Sequence, residues 1–354
     1  MSYIDRQNRL RELLDKKGLD AFLVRKKQNI SYLTGVKGDD AKLFISRKRN
    51  ILFTDSRYEE EYKKTASHCS VRSVKNISAC IEEACRGTHS RKIGFEANNF
   101  TYSEYLTLKK CLRNKRLIHL KDTIENLRSI KDKGEIGHIR KACLSAAKLM
   151  NHATTIIRPG LKENRVKAII EGYAIRNGVG LAGFDIIVAS GRNSSMPHAA
   201  ASGKTMRQKE MVTIDLGTTC HGYNSDLTRT VFLGRINHKY SQIYNIVLDA
   251  QRKAIENIKP GICAADLDAV SRQYISDKGM GRYFLHSLGH GIGLETNEIP
   301  AISQNSKIRL AKGMAITVEP GIYIPGWGGV RIEDVVIITE NGCEVLTSAV
   351  SYKP

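Results

Sequence analysis

The sequence predicts two domains of different class, an α/β domain over residues 1–128 and an α+β domain over residues 129–354. Short apolar strands alternate with amphipathic helices in the first part, which is the order of an α/β fold. The second part contains an internal repeat, in which a helix, a Pro-Gly pair, a second helix and an apolar strand occur twice. A chain of 354 residues is long enough to bury two separate cores.

The first domain is predicted to be a mixed or parallel sheet with helices on its faces, because its strands and helices alternate. Ser56 is the expected cap of the second helix, and a helix-rich stretch from about Asp122 leads through Gly134 into the second domain. The predicted helices are residues 6–17, 56–65, 76–85 and 102–112, and the predicted strands are residues 21–24, 42–46, 51–54, 71–74 and 92–95.

The internal repeat of the second domain is visible in its helix ends and strands. One helix ends in IRPG at residues 157–160 and another in IKPG at residues 258–261, and each is followed by a further helix. The strand segments KEMVTIDLG and KGMAITVEPG align Asp215 with Glu319. We therefore expect two related halves to form one sheet around a pseudo-twofold axis, with the two carboxylates facing each other.

The charge of the chain is its most unusual bulk property. It has 56 Lys+Arg against 36 Asp+Glu, a formal net charge of +20, with 41% hydrophobic and 26% charged residues. Such an excess of base could attract nucleic acid or an anionic membrane. No run of five or six like charges occurs, so a solvated basic surface is favoured and a nucleic-acid partner is not expected. No apolar segment approaches the roughly 18 residues of a membrane span.

The N-terminus and the cysteines indicate a cytoplasmic protein. Residues 1–10 include Asp5, Arg6 and Arg9 and no apolar core, unlike a signal peptide. The eight cysteines form no Cys-x-x-Cys pair, which argues against zinc-ribbon and redox motifs. Reduced thiols in the cytosol are the simplest explanation.

Four acidic residues and one histidine of the second domain lie in strand-like apolar segments. A carboxylate on the inner face of a strand is costly to bury unless it is paired or binds a metal. Oxygen-rich sites with one imidazole suit Mn²⁺, Co²⁺, Fe²⁺ or Zn²⁺, and two such ions would balance four carboxylates and support hydrolysis. Any one of these acids alone could be a surface residue or a turn cap. The five residues are Asp215, Asp226, His290, Glu319 and Glu333.

The segments around these residues resemble the pita-bread metallopeptidases, the family of methionine aminopeptidase, aminopeptidase P and prolidase. In the first domain, ISYLTG at residues 30–35 and LFTDSRYE at residues 52–59 resemble the creatinase-type N-terminal domain of prolidases and aminopeptidases P. The matching segments of the second domain are VTIDLG, GYNSDLTRT, HSLGHGIG, VEPGIY and GVRIEDVV. The resemblance thus spans essentially the whole chain and implies a pita-bread fold for the second domain.

The resemblance implies a dinuclear metallopeptidase that hydrolyses the bond before proline, either as Xaa-Pro dipeptidase or as aminopeptidase P. Asp215, Asp226, His290, Glu319 and Glu333 would bind two divalent ions, Mn²⁺ or Co²⁺ before Zn²⁺ or Fe²⁺. A hydroxide that bridges the metals would attack, with Glu319 as its proton shuttle. In this family the N-terminal domain of a partner subunit often closes the site, which implies a homodimer.

Four further residues match substrate contacts of the family. His198 corresponds to the histidine near the scissile bond and the oxyanion, and His286 to the histidine that lines the proline pocket. Arg331 corresponds to the arginine beside the bridging glutamate, and Tyr323 to a residue near the metals. Without the resemblance, His198 could be a loop histidine without a role and His286 a structural histidine.

One position departs from the family pattern. The segment GLETNE places Asn297 where the family usually has a second substrate-contacting histidine. Asparagine is shorter and cannot carry a proton, so the alternative function is a catalytically weakened or non-catalytic binding protein of this fold. A creatinase-like C–N hydrolase without metal is a third possibility. The intact set of five ligand residues favours the metallopeptidase.

Overall fold

The chain divides after Arg128 into two units, which are described separately here. The structure is a computed structural model that describes residues 1–75 and 77–350. Among these residues, no helix is both long and apolar enough to cross a lipid bilayer.

The first unit is built on one six-stranded sheet in the order β4-β3-β2-β1-β5-β6. The pairs β1–β2 and β2–β3 are antiparallel and the other three are parallel. The sheet is therefore mixed, and Leu23, Phe44 and Phe53 are buried in its core. Its elements, in chain order, are α1 (Tyr3–Lys16), β1 (Ala21–Val24), α2 (Lys27–Thr34), β2 (Lys42–Ser46), β3 (Asn50–Thr54), α3 (Glu59–Thr65), β4 (Ser70–Ser73), α4 (Ile77–Gly87), β5 (Lys92–Glu96), α5 (Tyr102–Cys111), β6 (Arg116–Leu120) and α6 (Thr123–Ser129).

The five predicted strands of this unit are confirmed within a residue, but two helices start elsewhere: α1 begins at Tyr3 rather than at residue 6, and α3 begins at Glu59 rather than at residue 56. Helix α3 begins at Glu59 without a side-chain cap, so the predicted Ser56 cap is wrong. Asp55 accepts a hydrogen bond from the Arg57 backbone N–H at 2.8 Å, and this local turn keeps the segment out of the helix. The helix predicted over residues 76–85 begins at a position outside the described residues, and α4 is described from Ile77.

A cluster of buried polar side chains lies inside the first unit around Glu96, which is 5% exposed. Its Oε2 accepts hydrogen bonds from the backbone N–H groups of Arg25 and Lys26 at 2.7 and 2.8 Å. Its Oε1 accepts from the Asn29 amide at 2.6 Å, and Asn29 in turn accepts from Arg128 at 2.7 Å. The donors of the protein itself therefore surround this carboxylate.

The second unit contains two helix pairs that match the predicted repeat. Gly160 and Gly261 have φ of 89° and 91°, left-handed values that favour glycine after each Pro. The helices are α7 (Lys133–Ile156), α8 (Glu163–Arg176), α9 (His238–Asn257) and α10 (Ala264–Asp277). The strands are β7 (Gly180–Leu181), β8 (Ile187–Ser190), β9 (Met211–Leu216), β10 (Thr218–Cys220), β11 (Tyr223–Asn224), β12 (Leu227–Phe232), β13 (Gly289–Gly291), β14 (Glu298–Ile302), β15 (Ala315–Val318), β16 (Gly321–Ile324), β17 (Gly328–Arg331), β18 (Asp334–Ile338) and β19 (Cys343–Val345).

The strands of the two halves belong to separate hydrogen-bonded sheets, so the prediction of one continuous sheet is wrong. The first half forms the sheet β12-β9-β8, and the second half forms β14-β13-β15-β18-β19 and the pair β16-β17. The main apolar cores lie between each helix pair and its strands, with Val212 and Ile214 in one and Ile316 and Val318 in the other, and a further core packs α7 against strands β15 and β18 of the second half.

Threonine hydroxyls of β12 join the halves where a ladder would otherwise run. The Thr230 hydroxyl donates to the Arg331 carbonyl at 3.0 Å and accepts from the Arg331 N–H at 3.1 Å. The Thr228 hydroxyl donates to Glu333 Oε2 at 2.7 Å. We call these contacts of Thr228 and Thr230 with residues 331–333 the threonine seam. It brings the acidic residues of both halves to one place.

Candidate metal centre

The five predicted ligands lie at strand ends of both halves and line one cavity of about 540 Å³. Asp215 is near the end of β9, and Asp226 directly precedes β12. His290 is the middle residue of β13, Glu319 directly follows β15, and Glu333 lies between β17 and β18. The structure thus brings together side chains that are up to 118 residues apart in the sequence, from Asp215 to Glu333.

Their reactive atoms are close to one another. His290 Nε2 lies 3.3 Å from Glu319 Oε1 and 3.9 Å from Asp226 Oδ2. Asp226, His290 and Glu333 each offer one ligand atom within 4.8 Å of the others. One imidazole and several carboxylates therefore face a common point, which is a suitable donor set for a hard or borderline divalent cation.

The local backbone explains how His290 reaches this point. A Cβ at Gly289 would lie 2.1 Å from the Thr317 carbonyl oxygen, and one at Gly291 would lie 2.3 Å from the Ile299 carbonyl oxygen. Both glycines therefore allow β13 to approach its neighbours closely. His290 Nδ1 lies 3.1 Å from the Gly291 carbonyl oxygen, and donation to that oxygen leaves the Nε2 lone pair facing the carboxylates.

The carboxylates repel one another inside a buried space. Burial, then Glu333, then Asp215 raise the pKa of Asp226 well above its ordinary value. Burial and the charges of Glu319 and Asp215 do the same to the pKa of Glu333. Burial and Asp215 raise the pKa of Glu319 to about 7, although Arg331 opposes this. Such mutual repulsion is what a bound cation would relieve.

Hydrogen bonding leaves room for a cation at the same place. Within the described part of the chain, Asp215 Oδ1 is buried without a hydrogen-bond partner, while Oδ2 accepts from Arg331 at 2.6 Å. A buried carboxylate oxygen without a donor is costly. The neighbours of this oxygen are other carboxylates and an imidazole. It is therefore better suited to bind a divalent cation than to accept a hydrogen bond from the protein.

Arg331 begins a chain of hydrogen bonds that reaches His286. Arg331 NH1 donates to the Tyr323 hydroxyl at 3.0 Å and to the Pro197 carbonyl at 3.0 Å. The Tyr323 hydroxyl lies 2.8 Å from His286 Nε2. Burial and the charge of Arg331 lower the pKa of His286 to about 4, so this histidine is neutral near pH 7. Tyr323, which is only 2% exposed, supports the cavity from behind without lining it.

His198 and Asn297 line the same cavity from loops, and both are exposed. His198 follows a 3-10 helix at Gly191–Ser195, and Asn297 directly precedes β14. All the residues predicted for the site except Tyr323 therefore line this cavity, and their individual roles stay predictions.

Sequence reasoning missed the wall of the cavity formed by Phe184, Ile186 and Ile187. These residues read as an ordinary apolar strand, and only their position relative to β9 brings them to the site. It also missed Lys167, which lines the cavity 3.1 Å from Asp185. The alternate spacing of a strand does predict that Thr228 lies with Asp226 and Thr317 with Glu319, and in the structure the two threonine hydroxyls donate to ligand carboxylates.

Comparison with known proteins agrees with this geometry. The sequence profile of metallopeptidase family M24 matches residues 137–340, and that of the creatinase/prolidase N-terminal domain matches residues 6–130. An Xaa-Pro dipeptidase of Pyrococcus horikoshii is 40% identical over 346 residues, which are 95% of each chain.

Solved structures give the same result over the whole chain. An Xaa-Pro dipeptidase from Bacillus anthracis superposes with a TM-score of 0.95 at 39% identity, covering 100% of this chain and 99% of that one. An X-Pro aminopeptidase from Thermotoga maritima superposes with a TM-score of 0.89 at 34% identity, covering 96% and 97%. The predicted resemblance and fold class are confirmed. The chain therefore belongs to metallopeptidase family M24, as an enzyme that combines a creatinase/prolidase N-terminal domain with a catalytic domain of this family.

Proposed function

We propose that this enzyme is an Xaa-Pro dipeptidase that uses two divalent metal ions. The observation that carries the proposal is the convergence of four carboxylates and one imidazole on a cavity that also exposes His198 and Asn297. The names of the relatives at 39–40% identity support the dipeptidase, while a relative at 34% identity is named as an aminopeptidase.

Asp215, Asp226, His290, Glu319 and Glu333 would hold the metals. Two ions would balance the four carboxylates, and the oxygen-rich donors favour Mn²⁺ or Co²⁺ before Zn²⁺ or Fe²⁺. When bound, the ions would supply Lewis-acid polarisation of the scissile carbonyl.

The side chains of the protein perform the remaining tasks. The nitrogen of an Xaa-Pro bond has no hydrogen, so it must gain a proton to leave as the amine of proline. Glu319 faces the cavity, with Oε1 held by the Thr317 hydroxyl at 3.1 Å, and can accept a proton from the water that attacks the carbonyl carbon and deliver it to that nitrogen as the C–N bond breaks. His198 lies where it can donate a hydrogen bond to the carbonyl oxygen as negative charge develops there.

The apolar wall and His286 would select proline. Phe184, Ile186 and Ile187 offer an apolar surface to a pyrrolidine ring, which has no polar group to satisfy. His286 is held by Tyr323 and is neutral, so it can pack beside the ring without a desolvated charge.

The proposal is tested with Mn²⁺- or Co²⁺-loaded protein on Ala-Pro, Met-Pro, Ala-Pro-Ala and Ala-Ala, with Glu319→Gln as the control. We expect turnover of Ala-Pro and Met-Pro and little of the other two. Turnover of Ala-Pro-Ala would identify an aminopeptidase instead. Metal binding without turnover of any proline peptide would refute the proposed activity.

Asn297 allows the weakened or non-catalytic alternative to be tested in the same assay. If the usual histidine stabilises the transition state, Asn297→His should raise kcat by up to about 10²-fold, the lower range for an oxyanion donor. Thr296→Val, at the neighbouring cavity residue, is the matched control. An unchanged kcat in Asn297→His would show that Asn297 does not limit the enzyme.

Two further parts of the proposal concern the whole protein. We expect a homodimer, which sedimentation velocity would detect as twice the 39.5 kDa mass of the chain. We also expect a cytoplasmic location, with which the eight free thiols agree. Cell fractionation checks the location.

A further inference from the structure

A second group of metal-binding side chains lies away from the carboxylates, at the turn between β10 and β11. The group contains His138 of α7 and Cys220 and His221 of the turn. Each residue offers one ligand atom, and all three atoms lie within 4.8 Å of one another. None of these residues lines the cavity of the metal centre, and none has a part in the proposed peptidase reaction.

The backbone of the turn places two potential ligands next to each other. Cys220 pairs with Tyr223 across a two-residue hairpin, in which His221 and Gly222 have φ of 50° and 81°. Positive φ at both positions is the geometry of a type I′ turn, where Asn or Gly is usual at the first position. A histidine is less usual than Asn or Gly at this position, so the turn alone does not account for the choice of an imidazole there.

The third ligand is fixed on the neighbouring helix. The His138 ring stacks on Tyr223 with centroids 5.6 Å apart and an interplanar angle of 20°, and it lies 4.6 Å from the His221 ring. The Tyr223 hydroxyl donates to Glu135 at 2.9 Å, one helical turn from His138 on the same face. The helix and the hairpin are therefore held together before any ion binds.

The hairpin is tied to α7 on its other strand as well. The Thr218 hydroxyl donates to the Ala142 carbonyl of the helix at 2.7 Å. Glu135, His138 and Ala142 lie at i, i+3 and i+7, which is one face of a helix. A site built between two anchored elements loses little conformational entropy when a ligand binds.

We propose that His138, Cys220 and His221 form a Zn²⁺ site separate from the carboxylate centre. One thiolate and two imidazoles are the donors that Zn²⁺ prefers, and water would complete a tetrahedron. At Zn–ligand distances of about 2.0–2.3 Å, tetrahedral donors lie about 3.3–3.8 Å apart. Donors within 4.8 Å of one another therefore need to approach by at most about 1.0–1.5 Å. The thiol proton of Cys220 leaves to solvent on binding.

The position of this site suggests what the ion does. The chain segment from β10 through the turn to β11 connects Asp215 of β9 with Asp226, two ligands of the carboxylate centre. An ion that joins the turn to α7 would fix this connection and therefore the spacing of the two aspartates. The Zn²⁺ site is thus expected to stabilise the protein without taking part in the reaction.

Co²⁺ substitution separates the two sites, because a thiolate ligand gives a near-ultraviolet charge-transfer band and the carboxylate centre contains no thiolate among its five residues. The metal-depleted protein is titrated with Co²⁺ and, separately, with Zn²⁺ followed by metal analysis. We expect the band and a third bound equivalent in the native protein. Cys220→Ser should lose both, and Cys263→Ser, a half-buried cysteine elsewhere in the unit, should keep both.

His221→Asn is the second variant, since Asn tolerates positive φ and leaves the turn unstrained. It should also lose the third equivalent and lower the thermal midpoint only when Zn²⁺ is present. A band that persists in Cys220→Ser, or the same number of bound equivalents in the native protein and in Cys220→Ser, would overturn the site. Because absorption and metal content are read directly, this result does not depend on peptidase activity.

Discussion

The first unit buries the carboxylate of Glu96 and the second buries the carboxylates of the metal centre, and the two kinds of carboxylate are satisfied in opposite ways. Around Glu96, backbone N–H groups and an amide donate to both carboxylate oxygens. In the metal centre, Asp226 and Glu333 face other acids, and Asp215 Oδ1 is an acceptor without a partner among the described residues. A structural carboxylate is surrounded by donors, whereas a ligand carboxylate is left in need of a cation.

Replacing a glutamate by glutamine should therefore lower kcat in the metal centre and leave it unchanged at Glu96. Glu319→Gln removes a proton carrier and a charge from the centre, and we expect kcat to fall by about 10²–10⁴-fold. Glu96→Gln is the matched control and should keep the native kcat. Both are measured on Ala-Pro with circular dichroism as a check of folding. Equal activity of the two variants would remove the distinction between the groups.

Metal binding should stabilise the protein through the carboxylates of the metal centre and not through Glu96. At a free Mn²⁺ concentration of about 100 times its Kd, we expect about 2.7 kcal/mol of added stability in the native protein. Glu333→Gln should reduce this gain, and Glu96→Gln should leave it unchanged. Chemical denaturation with and without Mn²⁺ measures both. If Glu333→Gln kept the full gain, Glu333 would not be a ligand.

Without metal, Glu96→Gln should be the less stable of the two variants, although with Mn²⁺ only Glu333→Gln loses the gain from metal binding. Glu96→Gln points amide hydrogens toward the backbone N–H donors, so we expect the free energy of unfolding to fall by about 1–3 kcal/mol. Glu333→Gln removes one of several repelling charges and should cost less, or stabilise the metal-free protein. Urea denaturation in the presence of a chelator compares the two. A larger loss in Glu333→Gln would contradict the account of repulsion.

A further expected effect concerns the pH dependence of stability and His286. Its pKa is lowered to about 4 in the folded protein by burial and by Arg331, against about 6.5 in an unfolded chain. Between these values the unfolded chain binds a proton that the folded protein does not. His286 therefore contributes a loss of stability as pH falls from about 6.5 to about 4. His286→Gln should flatten that part of the profile, and an unchanged slope would contradict the lowered pKa.

Much of the fold and site could be predicted because the signals are local. Hydrophobic periodicity predicts the strands at Ala21–Val24 and Lys42–Ser46. The Pro-Gly pairs that follow two of the helices mark where the helix pairs turn. Helix α2 was missed because Lys26 provides no side-chain cap and its apolar residues are few. Strand β6 was missed because it is a half-buried edge strand with two basic residues.

The parts that escaped prediction depend on distant pairing. Glu96 bonds to residues about 70 positions earlier, and no local pattern connects them. The threonine seam likewise links residues more than 100 positions apart, from Thr228 to Glu333. The five ligands could be identified because each lies in a recognisable segment, whereas the hydrophobic wall around Phe184 carries no such segment.

The threonine seam also has a consequence for dividing the chain. An exposed connection at residues 234–237 joins the two halves, and each half has its own helix pair and apolar core. Because these hydroxyl contacts are accompanied by the buried Arg229–Asp334 ion pair and by an apolar core shared between α7 and the strands of the second half, a chain cut in this connection should reassemble from its two fragments. The ligands come from both fragments, so metal binding would report that the halves had found each other.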